Sequence, residues 1–506
     1  MRLTLNDLLR VLTPIENHQS SYSQLEVTGI CHDSRQVKPG NIYVAIVGAN
    51  YDGHDYISDA TNRGAVAIIG QGKQGSFFDE IPYINVPNSR EALAALASAF
   101  SGFPSRKLRV IGVTGTDGKT STIALIRSIL EISGVRTGVI TTLGAMIGDE
   151  EFDIGVHTTT PDALHIQRLL AYFVENHAEY AVIESTSHGL IQNRLDHCEF
   201  DVAVLTNITH EHLDYHKTYE KYKDAKAKLF EKKSLTNRKK TTIPTVSVLN
   251  KDDSTFESFS SIDANIHLSY SIMQEADFMA ANINHEPNMT KFEMITPIGS
   301  SPVRLSLLGT HNVYNALAAA TVCYSQGMSL KSIIEGLEAV KSVSARLTRV
   351  DFGQDYYVFV DYAHTPNALR HVLSWARTIG HNRIIVVFGL SGGLRDKTKR
   401  AEMGRMAAEL AHRVVVTSVD IYRDELAGEI IDQIVNDYQE LGLKENIDYW
   451  KVTEREDAIR LGIEFATTGD VVIIAGKGHE CSISKNGVEK SWDEFQVVRS
   501  SIEGKR

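Results

Sequence analysis

Cysteine is scarce in this chain of 506 residues: Cys31, Cys198, Cys323 and Cys481 are the only four, and they lie far apart with no C-x-x-C pair. That spacing excludes the paired-cysteine zinc sites and a disulfide framework, and predicts buried, reduced thiols. An excess of positive charge is also lacking. At a net charge of −11 the surface offers nucleic acid no general purchase, although a local basic groove can still hold anionic substrates. No run of about 18 apolar residues occurs, so no membrane-spanning helix is expected. The amino-terminal MRLTLNDLLRVLTPIE has acidic and polar residues where a secretory leader needs a continuous apolar stretch. It reads instead as a short amphipathic helix. A cytoplasmic protein is expected.

What is present is ordinary for a globular chain, with 42% hydrophobic and 23% charged residues. The length is too great for one core and suggests roughly three domains. The first, residues 1–103, has short strand-like runs at 42–47, 65–69 and 81–86, then an alanine-rich helical pattern at 90–100. Breakers at 101–105 read as a linker. The second, 104–340, opens with a strand at 108–113, a glycine loop and a helix from 120 to about 132. Apolar runs at 180–183 and 202–205 alternate with helical stretches, the pattern of a parallel sheet. Strand-rich sequence at 245–308 and helices at 312–326 and 330–339 complete it. The third, 341–506, repeats the alternation, with doubly buried strands at 357–361, 383–388, 413–417 and 471–475. The fold class is α/β in three domains: a small amino-terminal α/β domain, a central parallel-sheet nucleotide-binding domain and a Rossmann-like carboxy-terminal domain.

The glycine loop runs Gly112-Val113-Thr114-Gly115-Thr116-Asp117-Gly118-Lys119-Thr120-Ser121. Glycines let the backbone turn its N–H groups toward phosphate oxygens, and the following helix adds the positive end of its dipole. Lys119 then reaches the β- and γ-phosphates of ATP, and the hydroxyl of Thr120 or Ser121 binds Mg²⁺. Val113 stands where the common G-x-x-x-x-G-K-[ST] pattern has its first glycine. Strand 180–183 leads into Glu184, and strand 202–205 into a segment containing His212. Ligands bind beyond the carboxyl ends of parallel strands, so Glu184 and His212 are candidate Mg²⁺ ligands beside the loop. A helical stretch at 219–230 carries Lys223, Lys226 and Lys228, and periodicity alone does not choose among them.

The strings GVTGTDGKTST, HTTTPD, ESTSHGL, NITHEHLDYH followed by YKDAKAKLF, LGTHNVYNALAA, VDYAHTPNAL, FGLSGGLRDKTKR and AGKGHE occur in the order found in Mur ligases. The chain most resembles the MurE-type branch, which adds the third amino acid to UDP-N-acetylmuramoyl-L-alanyl-D-glutamate. That resemblance implies that Gly115, Thr116, Gly118, Lys119, Thr120 and Ser121 hold ATP and that Thr120, Glu184 and His212 hold magnesium. It implies that Lys226 is carbamylated and becomes a further metal ligand. Asn312 matches an adenine contact, while Arg346 and Asp361 match ATP contacts from the last domain. Ser34, in Asp33-Ser34-Arg35, matches the UDP-binding module; Thr159, Thr160, Thr186, Gln192 and Arg194 match the muramoyl-peptide site. Arg395, Asp420, Arg423, Gly476 and Glu480 match the pocket for the incoming amino acid, which is expected to be a diamino acid. A monomer is expected.

Two departures stand out. The family's G-R-[ML] element reads Ala345-Arg346-Leu347, and its D-N-P-R element reads Asp420-Ile421-Tyr422-Arg423. Loss of the asparagine amide removes a hydrogen-bonding group from the pocket and leaves diaminopimelate, lysine, ornithine or another amino acid open. Two readings compete with tripeptide synthesis. One is a ligase acting on another acceptor, such as a folylpolyglutamate synthase, against which the UDP-type first block speaks. The other is a nucleotide-dependent switch that ligates nothing.

Overall fold

The computed structural model describes residues 3–12, 24–48, 51–72, 81–155, 159–209, 211–233, 243–379, 382–393, 397, 399–422 and 425–505. Arg395 and Arg423, together with His157, Thr158 and His210 of the motif strings, lie outside these residues.

Among the described residues three large sheets follow one another along the chain, beside two two-stranded ribbons. The first has four parallel strands in the order Gly29–Cys31, Asn41–Val44, Ala67–Gly70, Tyr83–Asn85. Alternate residues enter opposite cores, Ile42 and Val44 on one face and Tyr43 and Ala45 on the other. The amino-terminal helix is only Leu5–Leu9, held by a Thr4–Asp7 capping box. The breakers at 101–105 do not form a free linker. Phe103 adopts a left-handed φ of 53°, Pro104–Lys107 winds into a 3-10 turn, and Arg106 pairs with Glu199 at 2.8 Å.

The middle sheet has eleven strands, and at its centre Tyr180–Glu184, Arg109–Thr114, Val202–Leu205 and Val246–Asn250 lie side by side and parallel. Both faces are covered. Ile111 and Val113 meet helices Lys119–Ile132 and Thr310–Ser325, whereas Val110, Ala181 and Ile183 meet helices Ala163–Glu175 and Tyr219–Lys233. This is why these strands are unbroken apolar runs. Antiparallel hairpins extend both edges, Gly144–Ile147 with Glu150–Phe152 at one, Met289–Thr296 with Gly299–Leu305 at the other.

The third sheet runs Thr348–Arg349, Tyr357–Asp361, Val471–Ala475, Ile384–Leu390, Arg413–Ser418, Tyr449–Lys451, parallel except for its first strand. Its core reaches into the preceding domain, because buried Leu308 packs with Leu347, Phe359 and Leu369. The carboxyl ends of its strands, at Asp361, Leu390, Ser418 and Ala475, carry the loops that matter below.

Candidate active site

The phosphate loop leaves strand Arg109–Thr114 at Gly115, whose φ is 146°. A Cβ there would lie 1.8 Å from the Thr206 hydroxyl, so the close approach admits glycine alone. Gly118, at φ 85°, caps helix Lys119–Ile132, and a Cβ on it would meet the Asn315 amide at 2.3 Å. The loop is braced from the neighbouring strand end: Thr116 N–H donates to Asn207 O at 2.7 Å, and the Thr206 hydroxyl donates to Asp117 O at 2.6 Å. Lys119 Nζ curls over it and donates to Gly115 O (3.1 Å) and Thr116 O (2.8 Å).

Glu184 is buried at the end of its strand, with one oxygen accepting from the Thr120 hydroxyl (2.9 Å) and the Thr142 N–H (3.1 Å). Its other oxygen is 4.0 Å from Lys119 Nζ. Ser121 is buried one position beyond Thr120. Lys226 is fully buried, donates from Nζ to Gly115 O at 2.7 Å and lies 4.4 Å over the Tyr222 ring. Burial, with Lys119 nearby, holds its amine well below the usual lysine range. That shift moves the balance toward the neutral amine, the form able to add CO2.

His212 has a left-handed φ of 56° and an edge-to-face contact with His188 at 4.8 Å. Burial of its ring, partly offset by Glu211, pushes its pKa down to about 4, so it stays a neutral imidazole. The described residues contain no group of three His, Cys, Asp or Glu side chains able to cage a metal. One carboxylate, one neutral imidazole and a threonine hydroxyl beside a phosphate loop fit magnesium all the same, because that ion keeps waters and takes phosphate oxygens.

Toward the first domain, a second group of residues is tied together. The Thr160 hydroxyl donates to Glu184 O at 2.8 Å and lies 2.9 Å from the Thr186 hydroxyl. Arg194 donates to Thr160 O (2.7 Å) and to the Gln192 amide oxygen (2.7 Å). Thr159 accepts from the Thr142 hydroxyl at 3.2 Å. Ser34 is buried in the short turn capped by Asp33, whose carboxylate Arg35 draws down to about pKa 2.

Other expected residues sit differently. Asn312 is fully buried and donates its amide to Leu308 O at 2.7 Å, while its oxygen accepts from Asn315 at 2.9 Å. An adenine ring could take that N–H only by displacing its bond to Leu308 O. Asp361 is buried and accepts from the Leu347 (2.6 Å) and Ala363 (2.7 Å) N–H groups, with burial raising its pKa. Arg346 stacks 5.0 Å over the Tyr362 ring. Gly476 has φ 106°, and a Cβ there would approach Gly389 O at 2.8 Å. Asp420 and Glu480 flank Lys477, which sequence reasoning passed over. Of the cysteines, Cys31, Cys198 and Cys323 are buried, but Cys481 is exposed. The expectation of four buried thiols fails there, because Cys481 sits in the loop after strand Val471–Ala475 rather than in a core.

The carboxy-terminal domain meets the phosphate loop through polar contacts whose partners are far apart in sequence. Asn367 donates to Asp117 Oδ2 at 3.0 Å, and His364 Nε2 lies 3.3 Å from buried Glu211. Lys399 donates to His364 O at 3.0 Å. Asp117, Glu211, His364, Asn367 and Lys399 lie outside the apolar runs, and the density of motifs in the strings that carry them is the signal that points to them.

Three family models match the chain: Mur ligase family, catalytic domain, at residues 26–101; Mur ligase middle domain at 113–323; and Mur ligase, glutamate ligase domain, at 345–478. A UDP-N-acetylmuramoyl-L-alanyl-D-glutamate–2,6-diaminopimelate ligase of Bacillus licheniformis is 39% identical over 98% of this chain and 99% of its own. A UDP-N-acetylmuramyl-tripeptide synthetase of Roseiflexus sp. is 38% identical over 94% of each. A solved structure of a UDP-N-acetylmuramoyl-L-alanyl-D-glutamate–2,6-diaminopimelate ligase superposes with a TM-score of 0.68 at 29% identity, covering 100% of this chain and 99% of that one. A phosphate loop braced by the next strand end, a buried lysine on that loop and a third domain folded over it thus come with full-length likeness, and the chain belongs to the Mur ligase family, in its tripeptide-synthetase branch.

Proposed function

We propose that this ATP-dependent ligase joins a third amino acid, a diamino acid, to UDP-N-acetylmuramoyl-L-alanyl-D-glutamate through an acyl-phosphate. The observation that carries the reading is the convergence of Lys119, Glu184 and Lys226 on one loop that the carboxy-terminal domain covers. Lys119 neutralises charge on the phosphates as the glutamyl carboxylate attacks the γ-phosphate, giving the acyl-phosphate and ADP. Thr120, Glu184, His212 and Lys226, once carbamylated, would hold magnesium, which would add further charge neutralisation. Thr159, Thr160, Thr186, Gln192 and Arg194 orient the muramoyl peptide so that its carboxylate faces the loop, and Ser34 holds the uridine nucleotide end. The amine of the incoming amino acid, bound at Gly476, Glu480 and the 421–423 segment with Arg395, then attacks the acyl carbon, and phosphate leaves. Arg346 and Asp361 close on the nucleotide and exclude water.

The acceptor is argued from the first domain, whose parallel sheet and Asp33–Arg35 turn accompany the UDP-type sequence; a folylpolyglutamate-type acceptor does not call for such a domain. ATP and a nucleotide-linked precursor place the reaction in the cytoplasm, and one chain supplies every group in the scheme, in keeping with a monomer. Curated relatives are named for 2,6-diaminopimelate, while Ile421 and Tyr422 replace the family's asparagine and proline. The test offers the UDP-dipeptide, ATP and a mixture of diaminopimelate, lysine and ornithine, and reads phosphate release and product mass. Release with one diamino acid and a product heavier by that residue is expected. No release with any amino acid overturns the ligase reading.

A further inference from the structure

Loops at the carboxyl ends of three strands of the third sheet meet around Asp420 and Lys477. Lys477 is fully buried, and its Nζ lies 2.9 and 3.1 Å from the two Asp420 oxygens and 2.7 Å from Glu480 Oε2. Asp420 has more partners. Oδ1 accepts the Ser484 N–H at 2.9 Å, Oδ2 accepts the Ser391 hydroxyl at 3.4 Å, and its backbone carbonyl accepts the Gly392 N–H at 2.7 Å. A carboxylate offers about four lone-pair sites, and the chain itself occupies all of them. Only 2% of the Asp420 side chain is exposed, against 16% for Glu480. The second Glu480 oxygen lies 3.4 Å from the Tyr362 hydroxyl, at the end of strand Tyr357–Asp361.

Two carboxylates share one ammonium, so the cluster carries one net negative charge. Asp420 is held by Lys477 and two further donors, whereas Glu480 is the more exposed member of the cluster. We infer that Lys477 is a positioning residue of the amino-acid pocket: it holds the Glu480 carboxylate toward the incoming ammonium, and Asp420 is the anchor of Lys477 rather than a contact of the substrate. This rests on the ligase reading above. A buried ion cluster could otherwise serve only to join loops, and the two roles separate experimentally.

Lys477→Met leaves buried Asp420 and part-buried Glu480 without their cation and lowers Tm. Lys477→Met with Asp420→Asn restores the buried net charge of the wild type, and so recovers Tm, while Glu480 stays untethered. The inference expects the double variant to keep an amino-acid KM raised by at least ~10-fold, with KM for ATP and for the UDP-dipeptide within about twofold of wild type. Recovery of both Tm and amino-acid KM makes Lys477 a structural tie and overturns the inference, as does an equal rise in all three KM values. Wild-type protein without amino-acid-dependent phosphate release overturns the ligase reading instead, and that control is run first.

Discussion

Replacing Lys226 by methionine separates the chemical role of this residue from its packing. The side chain is fully buried, donates one hydrogen bond to Gly115 O at 2.7 Å and covers the Tyr222 ring at 4.4 Å. Methionine has a similar unbranched stem and keeps most of that contact. Gly115 O does not become an orphan, because Lys119 also donates to it at 3.1 Å. The lost bond costs about 1 kcal/mol, and removing a buried amine offsets part of it, so Tm should move by no more than ~4 °C. Turnover should behave differently. Removing one charge-stabilising group from a water-excluded transfer site costs ~10²–10³-fold, equivalent to about 2.7–4 kcal/mol of barrier. Amino-acid-dependent phosphate release at saturating substrates, read beside a thermal scan, gives both numbers. Turnover within ~3-fold of wild type refutes a role in the transfer. Lost turnover with a Tm fall beyond ~10 °C shows instead that the lysine is a packing group.

Arg455 and Glu494 form a fully buried pair in which Arg455 also donates to Ala475 O and Trp492 donates to Glu494, each at 2.9 Å. Glu494→Ala strands the guanidinium and should cost about 3–5 kcal/mol in denaturant unfolding, whereas a change below ~1 kcal/mol would contradict the burial. Ala345 occupies a left-handed φ of 52°, so Ala345→Gly relieves about 1–2 kcal/mol of backbone strain while losing ~0.8 kcal/mol for a buried methyl and ~0.5–1 kcal/mol of chain entropy. The near cancellation predicts an almost unchanged Tm; a fall worth more than ~2 kcal/mol would mean that the methyl packs more tightly than its burial implies. In native protein a disulfide thiol reagent should label Cys481 alone within seconds to minutes, and all four cysteines after unfolding. Fast labelling of Cys323, whose thiol burial pushes far up, would contradict its enclosure.

Much of the fold was legible because the central strands are buried on both faces. The runs at 202–205, 357–361 and 471–475 coincide with observed strands, and the helix expected at 330–339 coincides with Leu330–Ala339. Short elements were less legible: the linker at 101–105 proved tied down by Ser105 and Arg106, contacts that reach to His197 and Glu199. In the site, the phosphate loop and Glu184 could be placed because a strand end dictates where a side chain emerges. Lys226 could not be singled out among three helix lysines, since its burial depends on the loop it meets across the fold. Lys477 escaped for the same reason: the ion partners of a buried cation come from loops that only the sheet order brings together.

Two of the joins between the middle and carboxy-terminal domains differ in kind. At the site they meet through Asn367 with Asp117 and His364 with Glu211, and beside it, two residues along the same helix, through Leu369 and Leu308 in an apolar core. Water can replace a hydrogen bond at a net cost of about 0.5–1.5 kcal/mol, but it cannot replace the burial of a leucine, worth about 1.5–3 kcal/mol. Separation is therefore cheapest beside the phosphates and most costly at Leu308. Helix Pro366–Ala376 thus turns a wet contact toward the phosphate loop and a dry one toward Leu308, so losing the first leaves the second to hold the two domains together.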